Sequence, residues 1–262
     1  MSDNELKILM IGNSYSDDTV KWVHEICESI NINVTIANMF IGGCSLSTHL
    51  SNLQNDSEAY EFVVYDKSIK QWERRQNTSI SQALKYDKWN YISLQQSSPM
   101  SGLKDSYDII DNVIDEISKI KKDSTFIWNM TWAYQQGSNH HRFPIYDNSE
   151  QKMYNCIIDC IQTKVKTNKR IKKIIPVGNA IQNARASVFR DMICRDSSCH
   201  LSLEFGRFIA GLTLVGCLTG ADLTQVTNFL NLPLDMHLVA IESAINALNN
   251  PFTITKSKII NK

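Results

Sequence analysis

The chain has 262 residues, of which 43% are hydrophobic and 21% are charged, proportions that are ordinary for a globular protein with a sizeable core. Its 27 basic and 27 acidic residues balance, so the composition gives no sign of binding to nucleic acid or to an anionic membrane. The first strand-like run starts too early for a secretory signal to precede it. No apolar run reaches membrane-spanning length, and the cysteines number seven, an odd count. These features predict a cytoplasmic protein with reduced thiols.

Short strand-like runs alternate with segments of helical periodicity along the chain. The predicted strands are Leu6–Ile11, Val34–Asn38, Phe62–Tyr65, Tyr91–Leu94, Thr125–Asn129 and Lys173–Val177. Helices are predicted from Asp17 to Ile30 and over 105–121, 149–166, 204–216 and 236–248. This alternation is typical of βαβ units, so we predict an α/β fold, a three-layer α/β/α sandwich with a central, mostly parallel sheet. The domain is expected to occupy 1–250, and residues 251–262 are expected to form a frayed C-terminal tail.

A serine follows the first predicted strand directly. The apolar run Ile8–Ile11 ends at Gly12-Asn13-Ser14, and a helical segment with acidic residues in its first turn comes next. A serine at such a strand-to-helix elbow lies at the carboxyl edge of the sheet, near backbone N–H groups that can stabilise an oxyanion. The segment therefore favours Ser14 as a nucleophile, while Ser14 or Ser16 as a simple helix cap fits it equally well.

Polar groups also follow two further predicted strands. The second strand is followed by Gly42 and Gly43, whose backbone can approach a ligand closely and expose N–H groups. The fourth is followed by Gln95 and Gln96, whose carboxamides could donate to an oxyanion. A plain glycine turn and solvent-facing glutamines are the alternatives. Because ligands bind outside the carboxyl ends of parallel strands, these groups are expected near Ser14.

The loop before the helix at 204–216 carries an acid and a base. Asp196 precedes His200 there, and an aspartate near a histidine can stabilise the imidazolium that forms when the histidine takes a serine proton. Asp235 and His237 form a rival pair, but they lie at a predicted helix start, where aspartate is a common cap. We therefore prefer His200 as the base. The cysteine spacing matches no usual zinc motif, so no metal site is predicted.

Taken in order, these segments resemble the conserved blocks of the SGNH, or GDSL-like, hydrolases, in particular a bacterial branch known only as a domain of unknown function. The matching segments are Ile-Gly-Asn-Ser at 11–14, Ile-Gly-Gly-Cys-Ser-Leu at 41–46, Tyr-Ile-Ser-Leu-Gln-Gln at 91–96 and the run from Asp196 to Ser202. The resemblance implies a flavodoxin-like SGNH hydrolase fold with Ser14 as nucleophile, His200 as base and Asp196 as orienting acid. It also implies an oxyanion hole made by the N–H groups of Ser14 and Gly43, or Gly42 in its place, and by the amide of Gln95 or Gln96.

The chain departs from the family pattern in two blocks. The third block usually carries Gly-x-Asn, whose asparagine completes the oxyanion hole, and here Gln95 or Gln96 would have to do so. The last block is usually Asp-x-x-His, whereas Asp196 lies four residues before His200. Either this loop is one residue longer, or the site works as a Ser–His dyad.

The resemblance implies a serine esterase that needs no cofactor. We favour short-chain acyl esters as substrates, and acetyl esters of carbohydrates among them. The loop over 134–148 is interpreted as a lid or substrate loop, and aromatic rings beside it could stack on a sugar. The residues predicted to contact the substrate are Asn13, Trp132, Tyr134, His140 and Asn179.

Two other functions fit parts of the sequence. One is an SGNH-fold protein that has lost catalysis and only binds glycans. The two departures from the family pattern favour this alternative. The other is a flavodoxin-like protein that holds a phosphate or cofactor in the hydroxyl-rich segment Ser14–Thr19. Asp17 and Asp18 argue against it, because they would repel a phosphate at that helix start.

Overall fold

The computed structural model describes residues 5–195 and 199–259. In this part of the chain seven strands form one sheet, in the order β4-β3-β2-β1-β5-β6-β7. The strands are β1 (Leu6–Gly12), β2 (Val34–Phe40), β3 (Tyr60–Asp66), β4 (Gln71–Thr78), β5 (Tyr91–Leu94), β6 (Thr125–Asn129) and β7 (Lys173–Ile175). The predicted α/β fold with a mostly parallel central sheet is thereby confirmed.

The α-helices of the described residues pack around this sheet. They are α1 (Ser14–Val20), α2 (Val23–Ser29), α3 (Leu46–Gln54), α4 (Ile80–Tyr86), α5 (Ile110–Ile120), α6 (Glu150–Cys160), α7 (Val177–Arg185), α8 (Phe205–Thr219) and α9 (Leu234–Asn249). A π-helical turn, Ile161–Val165, continues α6. None of the helices in the described residues is both long and apolar enough to cross a membrane.

The position of β1 in the sheet determines where a ligand can bind. β1 pairs in parallel with β2 on one side and with β5 on the other, and β6 and β7 extend the parallel part beyond β5. From β1 the chain passes to β2 on one side, and after β4 it crosses to β5 on the other side of β1, which opens a crevice at the carboxyl end of β1. The antiparallel strands β3 and β4 complete the edge next to β2.

The core explains why β1 was readily predicted. Its residues Ile8–Ile11 are each at most 1% exposed, as expected for a parallel strand that is covered by helices on both faces. The edge strand β4 has the sequence QWERRQNT, without a buried residue, and was not predicted because it lacks an apolar pattern. Charged side chains on such an edge discourage pairing with another chain.

Several predicted boundaries differ from the structure. The helix predicted from Asp17 to Ile30 is two helices, α1 and α2, with a break after Val20. The strand predicted to end at Val177 stops at Ile175, because Pro176 has no N–H for the sheet and caps α7 instead. The helices α3, α4 and α7 were not among those assigned from periodicity.

The C-terminal segment is packed on the protein over 251–259, where a frayed tail was predicted. Asn183 Oδ1 accepts from Thr255 N at 2.8 Å, and Glu242 Oε1 accepts from Lys258 N at 3.0 Å. Phe252 packs against the hydrophobic core as well. The prediction of a frayed tail is therefore wrong for these residues, and residues 260–262 lie outside the described part of the chain.

Candidate active site

A cleft of about 680 Å³ lies at the carboxyl end of β1. Ser14, Gly43 and His200, three residues predicted to take part in catalysis, all contribute to its lining. Segments that follow β2 and β5 and the loop over 134–148 form other parts of its wall. The topology thus brings residues far apart in sequence to the crevice where ligands bind in open α/β sheets.

Ser14 is the first residue of α1 and is not its cap. The cap is Asn13, whose Oδ1 accepts from Tyr15 N at 3.0 Å. Ser16 is fully buried and donates through Oγ to Asn13 O at 2.7 Å. Ser14 is half-buried and lines the cleft. The alternative in which Ser14 or Ser16 only caps the helix is therefore ruled out by the capping role of Asn13.

The segment proposed as a phosphate loop is helical. Ser16 and Thr19 are fully buried within α1, and Thr19 Oγ1 donates to Tyr15 O at 2.8 Å. Asp18 is 1% exposed and forms an ion pair with Arg207. These hydroxyls are bonded to the backbone of their own helix, so the geometry does not favour a flavodoxin-like phosphate site.

Asn13 was predicted to contact substrate, but its side chain forms hydrogen bonds with the segments that follow β2 and β5. It is 2% exposed, and its Nδ2 donates to Cys44 O at 3.0 Å. Its Oδ1 accepts from Gln95 Nε2 at 2.8 Å, and Gln95 Oε1 in turn accepts from Asn129 Nδ2 at 3.0 Å. This chain of amides joins the segments that follow β1, β2 and β5 to the end of β6.

The side chains of Gln95 and Gln96 are buried and form their hydrogen bonds with groups inside the protein. Each is 1% exposed, and neither is among the described residues that line the cleft. The Gln96 amide donates to Ser106 O at 2.9 Å and to Ser106 Oγ at 3.0 Å, which uses both of its N–H bonds. Its Oε1 accepts from Leu46 N at 3.1 Å. The oxyanion role predicted for these glutamines is corrected to that of supporting the loops around the cleft.

Gly43 provides a backbone conformation that other residues rarely adopt. Its φ is 65°, in the left-handed region, where a side chain would be strained. Gly42 is next to it and also lines the cleft. Because these two residues follow β2, they form part of the wall opposite the segment that follows β5.

His200 is half-buried and lines the same cleft as Ser14. The peptide groups on both sides of it are hydrogen-bonded: Trp132 Nε1 donates to Cys199 O at 2.7 Å, and Leu201 N donates to Asp18 Oδ2 at 2.8 Å.

Burial raises the pKa of the Asp18 carboxyl, and the Arg207 guanidinium and the Leu201 N–H act against that rise. Asp196, the predicted orienting acid, lies outside the described residues.

The aromatic residues predicted to stack on a sugar are inside the protein. Trp132 and Tyr134 are both 0% exposed. Trp132 is stacked on Tyr15, with ring centroids 3.9 Å apart. Tyr134 forms a hydrogen bond with Ser98 Oγ through its hydroxyl at 3.0 Å, and burial raises the pKa of its phenol. The prediction that these rings contact substrate is corrected, because neither ring face is accessible.

The remaining predicted site residues separate into two groups. His140 lies in the cleft wall with Arg142, whose backbone N–H donates to His140 Nδ1 at 3.2 Å. Asn179 is fully buried and donates to Asn250 O and Thr253 O, so it anchors the C-terminal segment and does not contact substrate.

The rival acid–base pair is not at the cleft. His237 is 7% exposed and stacked on Phe208, and burial lowers the pKa of its imidazole. Asp235 lies in the first turn of α9 and accepts a hydrogen bond from Met236 N. Within the described ranges, no cluster of three or more histidine, cysteine or acidic side chains is placed to hold a metal ion.

Asp18 and Arg207, which support the backbone beside His200, were not predicted from the sequence. Asp18 lies four residues after Ser14, which places both on one side of a helix, and this spacing was an available signal. Arg207 is 189 residues from Asp18, and nothing in the sequence pairs the two.

The fold and the cleft together define an α/β protein with a mostly parallel sheet and a serine directly after the first strand. The family model described as "Domain of unknown function (DUF4886)" matches residues 7–230, and the chain belongs to this family. The sequence-based assignment to a family known only as a domain of unknown function is thereby confirmed. A search among curated proteins finds no significant match.

Solved structures with the same fold include one from this family. A DUF4886 family protein from Bacteroides uniformis has 37% identity and a TM-score of 0.92, over 97% of this chain and 98% of that one. A "putative SGNH hydrolase" from Slackia heliotrinireducens has 17% identity and a TM-score of 0.51, over 82% of this chain and 100% of that one. A family 3 carbohydrate esterase from Clostridium thermocellum has 12% identity and a TM-score of 0.50, over 82% and 95% of the two chains. The last two likenesses establish the fold.

Proposed function

We propose that this protein is a serine esterase that hydrolyses short-chain acyl esters, with acetyl esters of carbohydrates as the favoured substrates. The observation that carries the proposal is the meeting of Ser14, Gly43 and His200 in one cleft at the carboxyl end of β1. The shared fold with a protein described as a carbohydrate esterase supports it.

The proposed reaction follows the chemistry of an activated serine. His200 takes the proton of the Ser14 hydroxyl as Oγ attacks the ester carbonyl carbon, and the carbonyl electrons move onto oxygen. The N–H groups of Ser14 and Gly43 donate to this oxyanion. His200 then gives its proton to the leaving alcohol, and water releases the acyl group by the same steps. In this proposal Asp196 orients His200 from the preceding loop.

The cleft wall combines apolar and polar residues. Phe40, Pro99 and Met100 line it together with Ser45, Ser98, His140 and Arg142. A volume of about 680 Å³ is within the usual range for small-molecule sites. Polar and apolar residues in one cleft suit an ester that has both a polar alcohol part, such as a sugar, and a short acyl chain.

Hydrolysis of a monoacetylated sugar, measured as released acetate, tests the proposal. Ser14→Ala and His200→Ala should each lower kcat by about 10³-fold or more, since both act in the chemical step. Ser51→Ala, at an exposed serine of α3, should retain the wild-type rate. Hydrolysis that persists in Ser14→Ala would contradict the assignment. Binding of the acetylated sugar by a wild type that hydrolyses nothing would favour a glycan-binding protein instead.

A further inference from the structure

His200 lies between two peptide groups that are held from outside its own loop. On one side, the indole Nε1 of Trp132 donates to Cys199 O at 2.7 Å. On the other, Leu201 N donates to Asp18 Oδ2 at 2.8 Å. A residue whose neighbouring peptide groups are both fixed can sample few backbone positions, so these two bonds restrict where the His200 ring can lie.

Trp132 connects His200 to the residue that follows Ser14. The rings of Trp132 and Tyr15 are stacked with centroids 3.9 Å apart and planes within 2° of parallel. Trp132 is 0% exposed and Tyr15 is 1% exposed, so the stack is packed on all sides. The position of the indole N–H is consequently set by the same helix that carries Ser14.

Asp18 makes the second connection from that helix. It lies four residues after Ser14, about one turn along α1. Its Oδ1 accepts from Arg207 Nε at 2.7 Å and contacts Arg207 Nη2 at 2.7 Å, which leaves Oδ2 for Leu201 N. A carboxylate that is 1% exposed requires such a charged partner, so Arg207 holds Asp18 in the orientation that fixes Leu201.

The bonds within the His200 loop close a turn but do not reach α1. Arg195 N donates to His200 O at 3.1 Å, and Ser202 N donates to Ile193 O at 2.8 Å. These bonds shape the loop, whereas Trp132 and Asp18 set its place relative to Ser14. Both of these residues are buried, and neither is among the described residues that line the cleft.

We propose that Trp132 and Asp18 are positioning residues that align the His200 imidazole with the Ser14 hydroxyl through the two peptide groups beside His200. This inference rests on the proposed function, because it assigns the alignment to the proton transfer between these two side chains. A misplacement of about 1 Å in such a pair can cost about a hundredfold in rate.

The decisive comparison is between Trp132→Phe and Trp89→Phe. Trp89 is a matched control, because it is 2% exposed and its Nε1 donates to Ala83 O at 2.8 Å. Each variant keeps a buried aromatic ring and loses one N–H bond to a backbone carbonyl. The two readouts are the rate at which a fluorophosphonate labels Ser14 and the NMR relaxation of an isotope-labelled His200 ring.

Trp132→Phe is expected to slow labelling by about tenfold or more and to increase the mobility of the His200 ring, whereas Trp89→Phe changes neither. Asp18→Asn, which removes the charge paired with Arg207, should also slow labelling and increase the mobility of the His200 ring. This variant replaces Trp132→Phe in the test if Trp132→Phe does not fold. Equal labelling rates and ring relaxation in the two tryptophan variants would overturn the proposal. If the wild type does not react with the probe, the proposed function fails, and the ring relaxation still decides whether Trp132 positions His200.

Discussion

Gly43 combines an unusual backbone conformation with a place in the cleft wall. Its φ of 65° is strained for a residue with a side chain, although no atom lies within 4 Å of an added Cβ. Gly43→Ala should therefore lower the free energy of unfolding by about 1–2 kcal/mol and lower kcat, because the N–H proposed to hold the oxyanion moves. Urea unfolding and esterase assays measure both effects.

Gly42→Ala is the control for that comparison. Gly42 has no positive φ and equally open surroundings, so its substitution should change stability by less than about 0.5 kcal/mol. Equal losses of stability in the two variants would show that the positive φ of Gly43 is not the cause of the loss. An unchanged kcat in Gly43→Ala would show that the Gly43 N–H is not part of the oxyanion hole.

Arg142 is the one permanently charged side chain among the described residues that line the cleft. An ester that carries a carboxylate should therefore be hydrolysed better than its neutral counterpart. Because Arg142 is exposed, the expected advantage is about 0.5–1 kcal/mol, or roughly two- to fivefold in kcat/KM. The comparison uses an acetylated glucuronic acid and its methyl ester.

Arg142→Gln should remove this preference, and high salt should weaken it in the wild type. Arg75→Gln, at an exposed arginine of β4, should leave it intact. A ratio of rates that is the same in Arg142→Gln and wild type would show that Arg142 does not contact the substrate.

The roles of some site residues could be predicted from the sequence, and the roles of others could not. Ser14 and Gly43 were predicted because each directly follows a strand, and strand ends converge in a parallel sheet. Gln95 was assigned to ligand contact by the same rule, because it follows a strand, and Trp132 was assigned from its aromatic ring. The structure buries both, since an indole and an amide also satisfy backbone and side-chain partners inside a protein.

Among the elements, α7 holds the C-terminal segment in part through the side chain of Asn179. Asn179 Nδ2 donates to Asn250 O and Thr253 O at 2.8 and 3.2 Å, and its Oδ1 accepts from Tyr154 OH at 2.6 Å. Asn179→Ala leaves these buried groups unpaired, so the free energy of unfolding should fall by about 1–3 kcal/mol. Hydrogen exchange should show faster opening over 251–259.

The same variant separates a structural role from a substrate role. The labelling rate of Ser14 should stay at the wild-type value in Asn179→Ala, since the side chain is fully buried. A large loss of substrate affinity with unchanged stability would instead restore the role first predicted for Asn179. Asn55→Ala, at an exposed residue, is the control for stability.

Periodicity identified the longer elements that have an apolar face, and it missed short helices and a strand without such a face. The strands β5 and β6 were predicted with their observed bounds, Tyr91–Leu94 and Thr125–Asn129. The edge strand β4 is held by pairing with β3 and has no apolar pattern. The helix α7 has apolar residues at helical spacing, Val177, Ala180, Ile181 and Ala184, but it is only nine residues long, shorter than the window in which a helical period is recognised.

For the whole molecule, His49 makes the fold sensitive to acid. It is 0% exposed in α3, and its Nδ1 forms a hydrogen bond with Tyr60 OH at 2.8 Å. Burial lowers the pKa of its imidazole to about 3, against about 6.5 in an unfolded chain. The unfolded state therefore binds the additional proton as the pH falls below about 6.5, and stability decreases by about 2 kcal/mol between pH 8 and pH 5.

Urea unfolding of the wild type and of His49→Gln at pH 8 and pH 5 measures this effect. The variant is less stable at pH 8, but its loss between the two pH values should be smaller by about 2 kcal/mol. Burial also lowers the pKa of His24 and His237, so part of the acid sensitivity remains. An identical loss in both proteins would show that His49 is not the group responsible.

We propose above that Ser14 is a nucleophile whose proton is taken by His200. The most direct test of this proposal is reaction with a fluorophosphonate probe, followed by intact-mass measurement and peptide mapping. One adduct per chain is expected on Ser14, and none is expected in Ser14→Ala or in His200→Ala. A folded wild type that forms no adduct, or an adduct that persists in Ser14→Ala, would contradict the proposal.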